Sequence, residues 1–196
     1  MAEISVEQIK KLKELSGAGL TDAKKALVEA NGDFDKALEA MRKKGLTKAE
    51  KRGDRETREG LVEAYIHDGR LGAIEEVNCE TSFVAKTEEF KTLAHQIAMQ
   101  IASMAPLYVS ESDIPEADKK AKIKELEANF KGPENMKEKI LDGQVKKAFS
   151  DKVLMNQPYI LDDSKTVEQF IKEAIAKTGE NITVRQFKRI ELGVTE

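Results

Sequence analysis

The sequence predicts an α+β protein: a small module of three helices, then a core in which helices pack against a three-stranded antiparallel sheet. Three observations predict it. Helical periods with start and stop signals fill the first 45 residues or so. Two β-rich runs meet at Asp68-Gly69, a strong hairpin signal, in "GLVEAYIHDGRLGAIEEVNCE". A third β-rich run, "ITVRQFKRIEL", comes about a hundred residues later, and since two strands alone are marginal, it is expected to join the hairpin.

Ser5 with Gln8 three residues on forms a capping box, and Ile4 and Ile9 are spaced as a hydrophobic staple. A helix therefore opens there and is expected to bury Val6, Ile9, Leu12 and Leu15. Gly17 and Gly19 in "SGAGL" allow a sharp reversal. A second helix is expected from Thr21 or Asp22 to Asn31-Gly32, and a third from an Asp33 cap through "FDKALEAMRKK" to a stop at Gly45. A core this small suits docking better than catalysis.

Residues 1–46 are thus the predicted module. "TKAEKRGDRETRE", residues 47–59, holds five basic and four acidic residues and reads as a charged, solvated linker, helical in part. Residues 60–196 form the predicted core. There, apolar residues Phe90, Leu93, Ile97, Ile101 and Met104 mark a helix from Thr87. Pro106 and Pro115 bracket a loop, and a helical segment at about 116–150 breaks at Gly132-Pro133. A last helix, "TVEQFIKEAIAKTG", stops at Gly179.

The 33 basic and 36 acidic side chains leave a formal charge of -3, so no global field draws the chain to nucleic acid or membrane. One cysteine excludes an internal disulfide and a cysteine-rich zinc site, and His67 and His95 are too few for most histidine clusters. No cofactor or metal is expected. The charged first twenty residues and the lack of a long apolar run predict a cytoplasmic protein at its full length.

No catalytic constellation emerges. Cys79 lies late in a strand without a neighbouring histidine and reads as a buried structural thiol. The glycines of "SGAGLTDAKKAL" lack the spacing and the Gly-Lys-Ser/Thr ending of a phosphate loop. Lys24, Lys25, Lys43 and Lys44 fall on exposed helix faces, where lysine is ordinarily just solvated. Phe83 is different. In "EEVNCETSFVAKTEEF" it occupies the joint between strand and helix, and a cap from Thr81 or Ser82 would hold its ring on a rigid pedestal suited to anchoring a partner.

"LKELSGAGLTDAKKAL" and "EVNCETSFVAK" resemble the two signature segments of the elongation factor Ts family, and "EKILDGQVKKAF", "NQPYI" and "RIELG" extend the likeness along the chain. Three positions depart from the family pattern: Ser82 stands where it has Asp, Lys13 where it usually has Arg, and Ser16 where it commonly has Thr. Ser82 keeps a capping oxygen and loses a carboxylate.

The resemblance implies a ubiquitin-associated-like fold for the module and no catalytic residues. It also implies that the chain is a guanine nucleotide exchange factor for the GTPase elongation factor Tu, binding its GDP form until GTP enters. Thr81, Ser82, Phe83 and Val84 match the family segment that intrudes beside the GTPase's Mg²⁺ and phosphate site. Leu20, Thr21 and Lys24 match the contact made by the module. The length resembles the short bacterial form, which implies a homodimer in a 2:2 complex, with residues 60–196 as the dimerisation domain. Val184 and Ile190 on one side of the third strand, with Phe187 on the other, fit a sheet covered on both faces. Two other readings compete: a ubiquitin-associated-like peptide-binding or chaperone-adaptor module without exchange activity, and a Cys79-dependent enzyme.

Overall fold

The computed structural model describes residues 4–130 and 136–194. Three N-terminal helices are followed by a three-stranded antiparallel sheet of order β1-β2-β5 packed with helices, the α+β architecture the sequence predicts. The strands are β1 (Glu59–His67), β2 (Leu71–Cys79) and β5 (Ile182–Glu191). The chain divides into two compact units, and the strands are shared between them. One unit takes in the chain up to Glu63, Glu76–His95 and Gln169–Val184, and the other Ala64–Glu75, Gln96–Glu168 and the chain from Arg185 on.

In the first unit, α1 (Val6–Ser16), α2 (Leu20–Glu29) and α3 (Phe34–Glu50) enclose a core of Leu12, Ala23, Leu27, Ala37 and Met41. The capping box forms as predicted: Gln8 N donates to Ser5 Oγ at 3.1 Å and Ser5 N to Gln8 Oε1 at 3.0 Å. The buried stripe of α1 is narrower than predicted. Leu12 is fully buried and Ile9 partly so, while Val6 and Leu15 face outward, because so small a bundle covers little more than one row of side chains. α2 starts one residue earlier than expected, at Leu20, and Asp33 caps α3 through Lys36 N at 3.1 Å.

The predicted stop at Gly45 is overturned, since α3 runs on to Glu50. A Cβ at Gly45 would lie 3.1 Å from that of Ala176 on α8 (Val167–Thr178). This glycine serves close helix approach instead of ending the helix. The charged segment beyond α3 is largely exposed and also tied down. Asn181 Nδ2 donates to the carbonyls of Gly53 and Arg55 at 3.2 and 2.8 Å, and the Thr57 and Thr183 hydroxyls meet at 2.9 Å.

In the second unit, Asp68 and Gly69 adopt φ of 50° and 66°, the left-handed pair of a tight hairpin turn. Leu192 N donates to Arg70 O at 2.8 Å, fastening the end of β5 beside that turn. On α5 (Glu88–Met104), which begins in the first unit and ends in the second, the stripe from Phe90 to Ile101 is buried as predicted, and Met104 is exposed. Helices α6 (Glu116–Ala128) and α7 (Lys137–Ser150) occupy the predicted helical segment, whose break at Gly132-Pro133 lies outside the described residues. A two-stranded pair, β3 (Pro158–Tyr159) and β4 (Asp162–Thr166), has no counterpart in the sequence reading, being too short for any periodicity to show. Buried Gln100 and Gln157 find partners there: Gln100 Nε2 donates to Gln157 Oε1 at 3.1 Å, and Gln157 Nε2 donates to Asp151 O at 2.7 Å.

Candidate functional site

Where β2 ends, the chain makes one helical turn, α4 (Ser82–Ala85), before α5 begins. An isolated four-residue helix does not hold itself together, so its stability must come from outside. Thr81 supplies part of it. With extended backbone angles of -130° and 152°, it is the N-cap, and its Oγ1 accepts from Val84 N at 3.5 Å. The capping residue is therefore Thr81 and not Ser82.

Glu180, just ahead of β5, supplies more. Its Oε2 accepts from the backbone N–H groups of Glu80 and Thr81 at 3.1 and 2.9 Å, and its Oε1 from the Thr81 hydroxyl at 2.6 Å. Below the turn, Cys79 Sγ donates to Thr81 O at 3.2 Å. Beyond it, Thr87 Oγ1 donates to Val84 O at 2.8 Å and accepts from Phe90 N at 3.2 Å, which caps α5.

One helical turn has one inward side, and Ala85 takes it. Ser82 and Val84 are half-buried, and Phe83 points away with 85% of its surface exposed. An aromatic ring so exposed on a backbone so fully bonded is a ready anchor, because little side-chain or loop freedom remains to be lost on binding.

The reversal between α1 and α2 is built differently. Gly17 has φ of 65°, Ser16 Oγ donates to Leu12 O at 2.6 Å, and Gly19 at the start of α2 offers no side-chain cap. A Cβ on Gly17 would run into the Lys177 side chain of α8, so this corner lies close against that helix. Leu20, Thr21 and Lys24 are all exposed on it, Leu20 by 51%.

The remaining residues weighed in the sequence have ordinary surroundings. Cys79 is fully buried, and burial, with the Glu180 and Glu59 carboxylates, pushes its thiol up to about 11. His95 Nδ1 lies 3.2 Å from Glu63 Oε1, and His67 Nδ1 2.9 Å from the Tyr65 hydroxyl. Lys43 pairs with Glu39 at 2.7 Å and Lys44 lies 4.0 Å from Asp22. Among the described residues, no group of three or more His, Cys, Asp or Glu side chains is arranged to hold a metal, and no helix is long and apolar enough to cross a membrane.

Sequence reasoning missed Glu180 and Asn181, which hold the Phe83 turn from about a hundred residues away. The one local hint was Gly179, a left-handed helix end with φ of 78° that turns the next residues back toward the sheet.

The family model described as elongation factor TS matches residues 3–194. The elongation factor Ts of Thermotoga maritima is 53% identical over 194 residues, covering 97% of each chain. That of Moorella thermoacetica is 49% identical over 97% of this chain and 96% of its own. That of Rippkaea orientalis is 53% identical over 98% of this chain and 80% of its own. The protein is thus a translation elongation factor. Within that class, the chain belongs to the elongation factor Ts family.

Proposed function

We propose that this chain is a guanine nucleotide exchange factor that binds the GDP-bound form of elongation factor Tu, speeds GDP release and stays bound until GTP enters. The observation that carries this reading is Phe83, 85% exposed on a turn bonded at both ends. Thr81, Ser82, Phe83 and Val84 form the intruding segment. The ring wedges between partner helices and displaces the loops that hold Mg²⁺ and the β-phosphate, so factor and nucleotide weaken one another's binding reciprocally.

A ten-thousandfold weakening of nucleotide binding needs about 5.5 kcal/mol of preference for the empty state. Burying one Phe contributes about 1.5–3 kcal/mol. A second contact is therefore required, and Leu20, Thr21 and Lys24 of the module, residues 1–46, supply it from their exposed corner. The segment 47–59 joins that module to the core, 60–196.

The same reading makes the protein a cytoplasmic homodimer that forms a 2:2 complex, using no catalytic residues of its own and no direct nucleic-acid contact. In the second unit, buried Ala73 and Glu75 alternate with exposed Ile74 on β2, and Arg189 Nε reaches Ala102 O of α5 at 2.9 Å, so neighbouring Ile190 faces the other way. Ile66, Ile74 and Ile190, the last 75% exposed, give an apolar face that favours a second copy. Sedimentation should give a dimer that Ile190→Lys converts to monomer; a wild-type monomer at micromolar concentration would remove this part of the reading.

The direct test of exchange is release of labelled GDP from purified elongation factor Tu. It should accelerate on adding the chain, and an unchanged rate with pure components ends the proposal.

A further inference from the structure

We propose that Glu180 is the positioning residue for Phe83, and that with Asn181 it makes a two-way clasp that fixes the turn at residues 80–81; this deepens the exchange reading and rests on it. The clasp is reciprocal. The Glu180 carboxylate accepts from Glu80 N, Thr81 N and the Thr81 hydroxyl at 3.1, 2.9 and 2.6 Å. In the other direction, the Glu80 carboxylate accepts from Asn181 N at 2.7 Å. Two carboxylates, each bonded to backbone N–H groups of the opposite segment, resist both sliding and rotation of one strand end against the other, and such charge-assisted bonds are about twice as strong as neutral ones.

Asn181 extends the clasp. It is 2% exposed, and its amide holds the carbonyls of Gly53 and Arg55, while Arg55 Nη1 lies 3.4 Å from the same Glu80 oxygen that Asn181 N reaches. The chain leaving α3 and the turn carrying Phe83 are thus bolted to one pair of residues. Thr81 alone would cap α4 weakly, since its bond to Val84 N is 3.5 Å long. With its hydroxyl proton given to Glu180, the Thr81 oxygen is oriented to accept, so the clasp also completes the cap.

A wedge acts only if the ring cannot yield when pressed. Loosening the clasp leaves Phe83 and the module corner available for contact, but lets the turn give way in place of the partner's loops. The affected quantity is then the maximal acceleration of GDP release at saturating factor, more than the concentration giving half of it.

The test uses the full chain, purified elongation factor Tu and labelled GDP. Glu180→Gln keeps the shape but removes the charge and leaves one acceptor oxygen, so it can accept from the two backbone N–H groups or from the Thr81 hydroxyl, not from both. It should lower the maximal acceleration about tenfold, equivalent to about 1.4 kcal/mol, and change the half-saturating concentration less than about threefold. Amide exchange at residues 80 and 81 should speed up in the same variant, and in a Phe83→Ala background the substitution should cost little further.

Thr81→Val attacks the same bond from its other end and should lower the maximum in the same way, with Thr81→Ser restoring it. That pair carries the test if Glu180→Gln fails to fold, as read by circular dichroism. Wild-type acceleration in a folded Glu180→Gln protein, or an equal loss in Thr81→Ser and Thr81→Val, overturns the clasp while leaving the exchange reading intact. If the wild-type chain itself leaves GDP release unchanged, the exchange reading fails and this positioning role falls with it.

Discussion

The Phe83 turn and the Gly17–Lys24 corner both present side chains outward from the same unit, yet they are built on opposite terms. The turn is short and takes its order from outside its own four residues: Glu180 bonds it from a distant segment, and the flanking Cys79 and Thr87 bond it from either side in the chain. The corner is ordered by the helices it joins and by a glycine that allows close approach to α8, and its exposed face carries no side-chain cap. A turn held from outside can transmit force, and an exposed helix corner can supply area. Exchange by a wedge needs both.

The largest expected effect concerns the rigidity of the turn. Cys79 lies directly beneath it with its thiol pushed up to about 11, so at neutral pH only about one molecule in ten thousand carries the reactive thiolate. Alkylation should run at least about a hundredfold slower than for an unhindered thiol, whose pKa is about 8.5. Burial slows it further. Because the thiol is raised, the rate should climb as pH rises toward 11. Fast labelling at pH 7 would mean that the turn opens readily, and its contrast with a corner ordered by the helices it joins would collapse.

Next comes the ring itself. Phe83→Ala should reduce the acceleration of GDP release by about ten- to a hundredfold, the equivalent of about 1.5–3 kcal/mol of lost burial. Since the ring is 85% exposed in the free chain, the melting temperature should hardly change. A large drop in melting temperature would mean that Phe83 supports the fold, and its loss of activity would then say nothing about wedging.

Phe83 was legible from the sequence because an apolar side chain in a strand-to-helix joint contradicts local expectation, and such contradictions concentrate at functional sites. The hairpin, the capping box and the α5 stripe were legible because each is a local pattern. Two classes of feature were not. Gly45 looks like a helix stop until Ala176 is placed beside it, and Val6 and Leu15 belong to an apolar period that the bundle is too small to cover. The Glu180–Thr81 bonds join residues 99 apart in the chain, and no spacing rule reaches that far. Local chemistry thus pointed to the exposed ring of Phe83, while its support awaited the fold.

The corner responds to different changes. Gly17→Ala puts a Cβ into the Lys177 side chain at a φ of 65° and should destabilise the protein by about 1–3 kcal/mol, read by urea unfolding. Leu20→Ala removes a side chain 51% exposed in the free chain, so stability should be nearly preserved. Half-saturation in the GDP-release assay should rise about fivefold, or about 1 kcal/mol, with the maximal rate retained. A fall in the maximum with unchanged half-saturation would assign the corner a share of the wedging and erase the division of labour between the two elements.

The smallest effect separates the corner's supporting bundle from the turn by acid. Hydrogen bonds from the backbone and side chain of Lys36 hold the Asp33 carboxyl below its ordinary value. A carboxyl depressed in the folded state contributes stability above its unfolded pKa, and that contribution is lost as pH falls through the folded value. Asp33→Asn keeps an oxygen for the α3 cap and removes the charge, so it should be slightly less stable than the parent at neutral pH. The two proteins should converge once pH drops below the usual carboxylate range, measured as the difference in melting temperature between them. The Asp33 side chain is 39% exposed to solvent, so added salt should shrink the neutral-pH difference as well. A difference that persists in acid would trace the effect to the shape of the cap and not its charge, and α3 would then start, like α4, on a cap that works without ionisation.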